Sequence, residues 1–283
     1  DWIVERLEGE PPTLNPLMEA SGASSVLIVS RNIFESLLER DFETLELEPS
    51  LAESYEISED NLTYTFKLKP NIKFSDGVPL TSGDVKFTVD AILNPANDTG
   101  SARSYFSDVS SVDAPDPLTV VFNCSKPYFL HLTQFGALPI LPKHIYGEGD
   151  FNTHPANRAP VGSGVFKFDR WDTGQQLTLI KRADYWGDVK PYVNRLVYKF
   201  ITDDNAAFQV LQQQQVDMMR VGSEKWMTEA KRADFEAKFN KFELYSQVNG
   251  YQGIFGWIGW NARRPMLQDK QVRQALTHLL DRD

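Results

Sequence analysis

The sequence predicts an α/β fold, because segments with the periodicity of strands alternate along it with segments with the periodicity of helices. The stretch TYTFKLK, residues 63–69, alternates apolar and polar residues strictly, which is the pattern of a half-buried strand. Ser75-Asp76-Gly77 then supplies turn residues. Val85, Val89 and Ile92 follow at helical spacing. The order strand, turn, helix is therefore written locally in this part of the chain.

The start of that helix has a recognisable cap. Thr81 and Asp84 lie three residues apart, directly before the apolar positions. This spacing resembles a capping box with Asp in place of Glu, in which each residue binds the backbone amide of the other.

The N-terminal part of the chain repeats the alternation of strand and helix. A strand over 2–7 precedes the loop GEPPTLNP, and the apolar positions Val26, Val29, Ile33 and Leu37 then predict a helix. Ser24 or Ser25 is its predicted N-cap.

The central part continues in the same way. A turn over 114–117 introduces a strand over 118–123, and PYFLHLTQF and ALPILPKHIY are predicted to be core segments. Further strands contain Leu177, Leu179 and the run LVYKF. A helix with Phe208 and Leu211 follows, capped by Asp203 or Asp204.

Two more helices are predicted near the C-terminus. Ser223 is expected to cap a charged helix that runs to Phe239. The last helix presents the stripe Val272, Ala275, Leu276 and Leu279 just before the sequence stops. Because such a stripe needs a surface to pack against, we expect the chain to be part of a longer protein.

Composition narrows the function. The chain has 283 residues and a formal net charge of −10, which disfavours nucleic acid or an anionic membrane as the main partner. Its single cysteine, Cys124, excludes a disulfide within the chain and is expected in the core. No run approaches the length of about 18 apolar residues that predicts a membrane span, and no signal peptide precedes Asp1.

The sequence shows no catalytic motif. The four histidines lack a metal-binding spacing such as HExxH, and Gly162-Ser163-Gly164 lacks the spacing of a phosphate loop. Ser163 lacks the second glycine of a nucleophile elbow, since Val165 stands there. We therefore predict no enzyme, no cofactor and no metal site.

Four segments in order resemble the extracellular solute-binding proteins of family 5, the peptide- and nickel-type receptors of ABC importers. They are GEPPTLNP with RNIFESLL, then LAESYEIS through IKFSDGVPLTSGDVKF, then PVGSGVFKF with DYWG, and RRPMLQDKQVRQAL. QQQQVDMM is similar to the family's turn into a strand, but Gln214 or Gln215 stands where the family usually has glycine.

This resemblance implies a class II periplasmic-binding-protein-like first lobe with a mixed sheet and an inserted α+β domain. Residues 1–45 and 160–261 would form that lobe, residues 46–159 the insertion, and residues 262–283 the start of a second lobe that is otherwise missing. The resemblance also implies a monomer, in the periplasm or anchored outside the cytoplasm as a lipoprotein.

The implied function is capture of a short peptide between two closing lobes and its delivery to the transmembrane subunits of an ABC permease. The alternatives are an oligosaccharide or nickel receptor of the same family, a non-transport interaction protein, and an enzyme.

The predicted ligand-binding residues fall in a small-residue loop, the insertion, the segment after VDMM, and an aromatic strand. They are Ser21, Gly22, Ala23, Ser24, Tyr105, Met219, Arg220, Trp257, Trp260 and Asn261. Small residues let a backbone approach a ligand, Arg220 can pair with a carboxylate, and in the aromatic strand at most one tryptophan faces the cleft. Ordinary helix lead-in, solvated surface and core are the alternative roles of these segments.

Overall fold

A computed structural model of the chain describes residues 1–22, 24–41, 43–188, 190–240 and 261–278. The chain divides into two compact units, Asp1–Ala230 and Lys231–Asp283. The strands, all in the first unit, are β1 (Trp2–Leu7), β2 (Leu38–Arg40), β3 (Leu47–Pro49), β4 (Ala52–Ile57), β5 (Thr63–Leu68), β6 (Val109–Asp116), β7 (Thr119–Cys124), β8 (Phe166–Asp172), β9 (Gln176–Lys181) and β10 (Arg195–Phe200).

The helices are α1 (Ser24–Ile33), α2 (Ser82–Leu93), α3 (Gly100–Tyr105), α4 (His131–Gly136), α5 (Lys143–Tyr146), α6 (Asp204–Gln212), α7 (Ser223–Thr228), α8 (Ala233–Glu236) and α9 (Lys270–His278). Short 3-10 helices span Glu19–Gly22, Pro155–Asn157 and Pro265–Leu267. The predicted α/β fold class is confirmed.

The first four-stranded sheet has the order β1-β10-β9-β8 and is mixed. β1 and β10 run parallel, with Glu5 opposite Tyr198, whereas β10, β9 and β8 pair antiparallel. We call it the mixed sheet. Its core side includes Leu177 and Leu179, which are fully buried as their strand pattern predicts.

The second four-stranded sheet has the order β4-β5-β7-β6 and is antiparallel throughout. We call it the antiparallel sheet. The alternation in β5 is confirmed, since Tyr64, Phe66 and Leu68 are all buried. Cys124, at the end of β7, is buried as predicted, and burial raises the pKa of its thiol to about 11.

The capping box of α2 is confirmed. The backbone amide of Thr81 donates to Asp84 Oδ2 at 2.8 Å, and the reciprocal bond to the Thr81 side chain is present. Val85, Val89 and Ile92 are fully buried on the face that this start directs toward the core. Gly77, in the turn before α2, has a φ of +91°, which explains why glycine stands there.

α1 ends earlier than the sequence predicts. The helix stops at Ile33, and Leu37 lies in extended chain, where its carbonyl accepts bonds from the amides of Ser50 and Ala52. The reason is a long-range contact, because the amide of Gly164 takes the carbonyl of Ile33 at 2.7 Å. Leu37 is nevertheless fully buried.

The Gly162-Ser163-Gly164 segment is a packing turn. A Cβ on Gly162 would lie 2.1 Å from the carbonyl oxygen of Ile33, so only glycine allows this approach. Arg182, which is 1% exposed, donates to the carbonyls of Ser163 and Phe74 at 2.7 and 3.2 Å. These bonds join the turn, β9 and the segment before α2.

Two further segments differ from prediction. Residues 114–116 belong to β6, and the register shift between Asp113 and Asp116 absorbs the prolyl stretch that suggested a turn. In the predicted core segment PYFLHLTQF, Phe135 is fully buried but Phe129 is 81% exposed, because it precedes α4 on a surface loop.

The predicted helix from Ser223 to Phe239 is broken into α7 and α8. The amide of Ala230 reaches back to the carbonyl of Lys225, which widens and ends the last turn, and Arg232 is extended with a ψ of 142°. Gly222, rather than Ser223, occupies the N-cap. By contrast, Asp203 caps α6 as predicted, accepting from the amide of Ala206.

Gln214 takes the geometry that glycine provides elsewhere. Its φ is +58°, in the left-handed region that a non-glycine residue rarely occupies. The turn after α6 therefore keeps its shape without glycine.

The predicted domain boundaries stay a prediction. All strands of the mixed sheet come from segments 1–45 and 160–200, and all strands of the antiparallel sheet from 46–159. Both sheets lie within the unit Asp1–Ala230.

Candidate ligand-binding site

The carboxyl edge of the mixed sheet gathers three parallel segments. β1 runs parallel to β10 on one side and to the segment around Met218 on the other, with Glu5 opposite Met218. The amide of Arg6 donates to the Met218 carbonyl at 3.1 Å, and Asp217 Oδ2 accepts from the amide of Val4 at 2.7 Å. In α/β sheets, ligands bind outside the carboxyl ends of such parallel strands.

Met219 and Arg220 lie at this edge. They line a cavity of about 330 Å³ together with the first turns of α6 and α7. We call it the edge cavity. The structure therefore brings these two predicted residues to the end of the sheet where the fold favours binding.

A buried cation lies beneath one wall of the edge cavity. The Arg6 side chain is 2% exposed and donates to Asp204 Oδ1 at 2.6 Å and to the Ile201 carbonyl at 2.9 Å. Asp204, which lines the cavity, is thereby held against the start of α6. Sequence reasoning missed this pair; its only local signal is a charged residue inside the strand-like WIVERL.

The cations that line the edge cavity differ in how they are occupied. Lys225 Nζ is 3.7 Å from Glu229 and 5.8 Å from the ring centre of Phe208. Arg220 is exposed and makes no hydrogen bond or ion pair with the residues that the structure describes. Its guanidinium is thus free, within this part of the chain, to bind another group.

A second group of predicted residues meets at the loop before α1. Ser21 and Gly22 lie in the 3-10 helix Glu19–Gly22, where Ser21 Oγ donates to the Pro16 carbonyl at 2.9 Å. The Glu19 carboxylate accepts from both the amide and the hydroxyl of Ser101, at 2.6 and 2.7 Å, and these bonds lower its pKa.

That contact places α3 beside the loop. Tyr105 ends α3 and is 60% exposed, so its ring is available on the same side of the fold's sequence neighbours. Ser24 is the first residue of α1. The structure therefore brings Ser21 and Gly22 next to the helix that bears Tyr105.

The remaining predicted residues are not brought to either group. Ala23, Trp257 and Trp260 lie outside the described residues. Asn261 belongs to the unit Lys231–Asp283, where its Oδ1 accepts from the amide of Arg263 at 3.1 Å.

The histidines serve local packing. His131 is 1% exposed and stacks on Phe135, with ring centres 5.2 Å apart, and burial lowers its pKa. His154 Nδ1 accepts from the amide of Ala156, and His144 Nε2 is 2.6 Å from Asp76 Oδ2. Within the described residues, no three His, Cys, Asp or Glu side chains gather as a metal site would require.

No helix in the described part of the chain combines the length and the apolar character needed to cross a membrane.

Comparison with known proteins gives a consistent relationship. Residues 46–283 match the family model described as "Bacterial extracellular solute-binding proteins, family 5 Middle". The oligopeptide-binding protein AppA of Bacillus subtilis is 34% identical over 288 aligned residues, which cover 100% of this chain and 50% of that protein.

Two solved structures are similar over nearly the whole chain. The structure of Bacillus subtilis AppA in complex with a nonapeptide has a TM-score of 0.81 at 30% identity, covering 100% of this chain and 54% of that one. NikZ from Campylobacter jejuni in complex with Ni(L-His) has a TM-score of 0.80 at 26% identity, covering 99% and 53%.

The chain thus spans about half the length of the relatives it matches. The family model covers well over half of the chain. The chain belongs to the bacterial extracellular solute-binding proteins of family 5.

Proposed function

We propose that the complete protein is the substrate-binding component of an ABC importer, which captures short peptides outside the cytoplasm and delivers them to a membrane permease. The observation that supports this most is the likeness to a nonapeptide-bound oligopeptide-binding protein over the full length of the chain. The protein would act as a monomer, in the periplasm or as an extracytoplasmic lipoprotein.

The proposed ligand surface of this chain is the predicted set Ser21, Gly22, Ala23, Ser24, Tyr105, Met219, Arg220, Trp257, Trp260 and Asn261. The described members support it through exposure rather than through bound ligand. Tyr105 and Arg220 are both exposed, and Arg220 has no partner in the described chain.

The proposed mechanism is closure of two lobes around an extended peptide. Backbone hydrogen bonds would hold the main chain of the ligand, and pockets at the walls would accept varied side chains. Closing the second wall removes water from the peptide, so a single lobe is expected to bind poorly.

A second candidate is a nickel complex. NikZ, which was solved with Ni(L-His), is nearly as similar in fold as AppA. An oligosaccharide is the third ligand class to be tested, because aromatic side chains stack on sugar rings as well as on peptides.

Thermal unfolding of the complete protein with each ligand class tests the proposal. An alanine-based nonapeptide, Ni²⁺ with L-histidine, and cellohexaose would be compared at equal excess. A ligand at about 100 times its Kd adds about 2.7 kcal/mol of stability, which shifts Tm by several degrees. We expect a shift with the peptide; a shift only with nickel–histidine or cellohexaose would contradict the proposal.

The enzyme alternative is tested in the same samples. The nonapeptide should be recovered intact by chromatography after prolonged incubation, since a receptor releases its ligand unchanged. Turnover of the peptide that scales with protein concentration would contradict the proposed role.

A further inference from the structure

We propose that the edge cavity holds a carboxylate of the ligand, with Arg220 as its bidentate partner. This inference rests on the proposed peptide-binding function and adds which end or side chain of the ligand the cavity selects. The edge cavity is about 330 Å³, which accommodates one terminal residue rather than a whole peptide.

Arg220 fits the role because its guanidinium is unoccupied. Among the cations in or beneath the cavity, Arg6 is held by Asp204 at 2.6 Å and Lys225 by Glu229 at 3.7 Å. Arg220 has no ion-pair partner among the described residues. A planar guanidinium matches the two oxygens of a carboxylate, and this geometry distinguishes it from a lysine ammonium.

The position of Arg220 is set by the sheet. Met218, two residues earlier, is bonded through its backbone to Arg6 and Val4 of β1. Arg220 therefore follows directly from a fixed strand, at the edge where parallel strands end. A side chain anchored in this way loses less entropy on binding than one on a long free loop.

The acidic groups of the cavity predict a selectivity. Asp204 is neutralised by Arg6, but Glu224, at the start of α7, has no partner among the described residues. Glu224 would repel a bound carboxylate and would limit the cavity to one negative charge. Removing its charge should therefore strengthen binding of an acid ligand.

Calorimetric titration of the complete protein tests the inference with one alanine-based nonapeptide as free acid and as C-terminal amide. Wild type should prefer the free acid. R220Q should lose about tenfold in affinity for the acid and change less than about twofold for the amide, while R220K should be intermediate. E224Q should bind the acid about two- to threefold more tightly.

The control is R170Q, which removes an exposed arginine of β8 whose partner is Asp172 at 3.0 Å and should leave both affinities unchanged. If both peptides bind wild type and R220Q alike, the inference fails while the peptide function stands. If neither peptide binds wild type, the proposed function fails and the inference falls with it. Loss of both peptides in R220Q, with unchanged unfolding, would also contradict a role in carboxylate selection.

Discussion

The two four-stranded sheets of this chain solve the problem of their edges differently. The antiparallel sheet closes on an aromatic core, in which Phe122 stacks on Phe135 with ring centres 4.5 Å apart. The mixed sheet ends in an open edge with a cavity, an exposed Arg220 and a buried Arg6–Asp204 pair. The first arrangement supplies stability and the second leaves polar groups for a ligand.

This difference explains why the most regular sequence is not the site. Residues 49–93 identify the family, yet their side chains mainly build the antiparallel sheet and α2. The edge cavity is formed by residues that are ordinary as a sequence and become distinctive only when β1, α6 and the segment after Val216 meet.

The largest effect is expected from opening the aromatic core. F122A removes a fully buried ring that contacts Phe66 and Phe135, and should cost about 3–5 kcal/mol of unfolding free energy. Urea denaturation measures it. F129A is the matched control, because Phe129 is 81% exposed and should change stability by less than about 0.5 kcal/mol. Equal losses in the two variants would mean that the core is not centred on this sheet.

A smaller loss is expected where the two regions are joined. In G162A the new methyl group would meet the Ile33 carbonyl at 2.1 Å, and the turn must move, at a cost of about 1–3 kcal/mol. The control is G9A, since nothing lies within 4 Å of a Cβ there. If both variants unfold at the same urea concentration, the close packing of the turn on α1 is wrong.

The smallest loss is expected at the cap of α2. T81A removes the hydroxyl of the capping box and should cost about 1 kcal/mol, because one amide of the first turn loses its partner. T81S retains the hydroxyl and should recover most of the stability. A T81A protein as stable as wild type would show that the box is replaced by water.

The features that sequence reasoning predicted are those set by neighbours in sequence. The alternation of β5 and the capping box of α2 depend on residues within three or four positions of each other. The end of α1 could not be predicted in this way, since it depends on Gly164, more than a hundred residues away. The exposure of Phe129 likewise follows from where its loop lies and not from its own apolar character.

The candidate site was predicted only in part, for the same reason. Arg220 was named through the family resemblance, and no periodicity singles it out. The Arg6–Asp204 pair joins residues 198 positions apart and has no pattern in the sequence. Burial of Arg6 became visible only when β1, β10 and α6 were placed together.

Hydrogen–deuterium exchange of the complete protein, with and without a saturating peptide, tests most directly the claim that the mixed sheet's edge binds the ligand and the antiparallel sheet does not. We expect slower exchange on peptide addition at residues 19–22 and 218–225, because bound ligand shields and orders these backbones. Residues 63–68 and 119–124, in β5 and β7, should exchange unchanged. Protection confined to β5 and β7, with none at 218–225, would contradict the account.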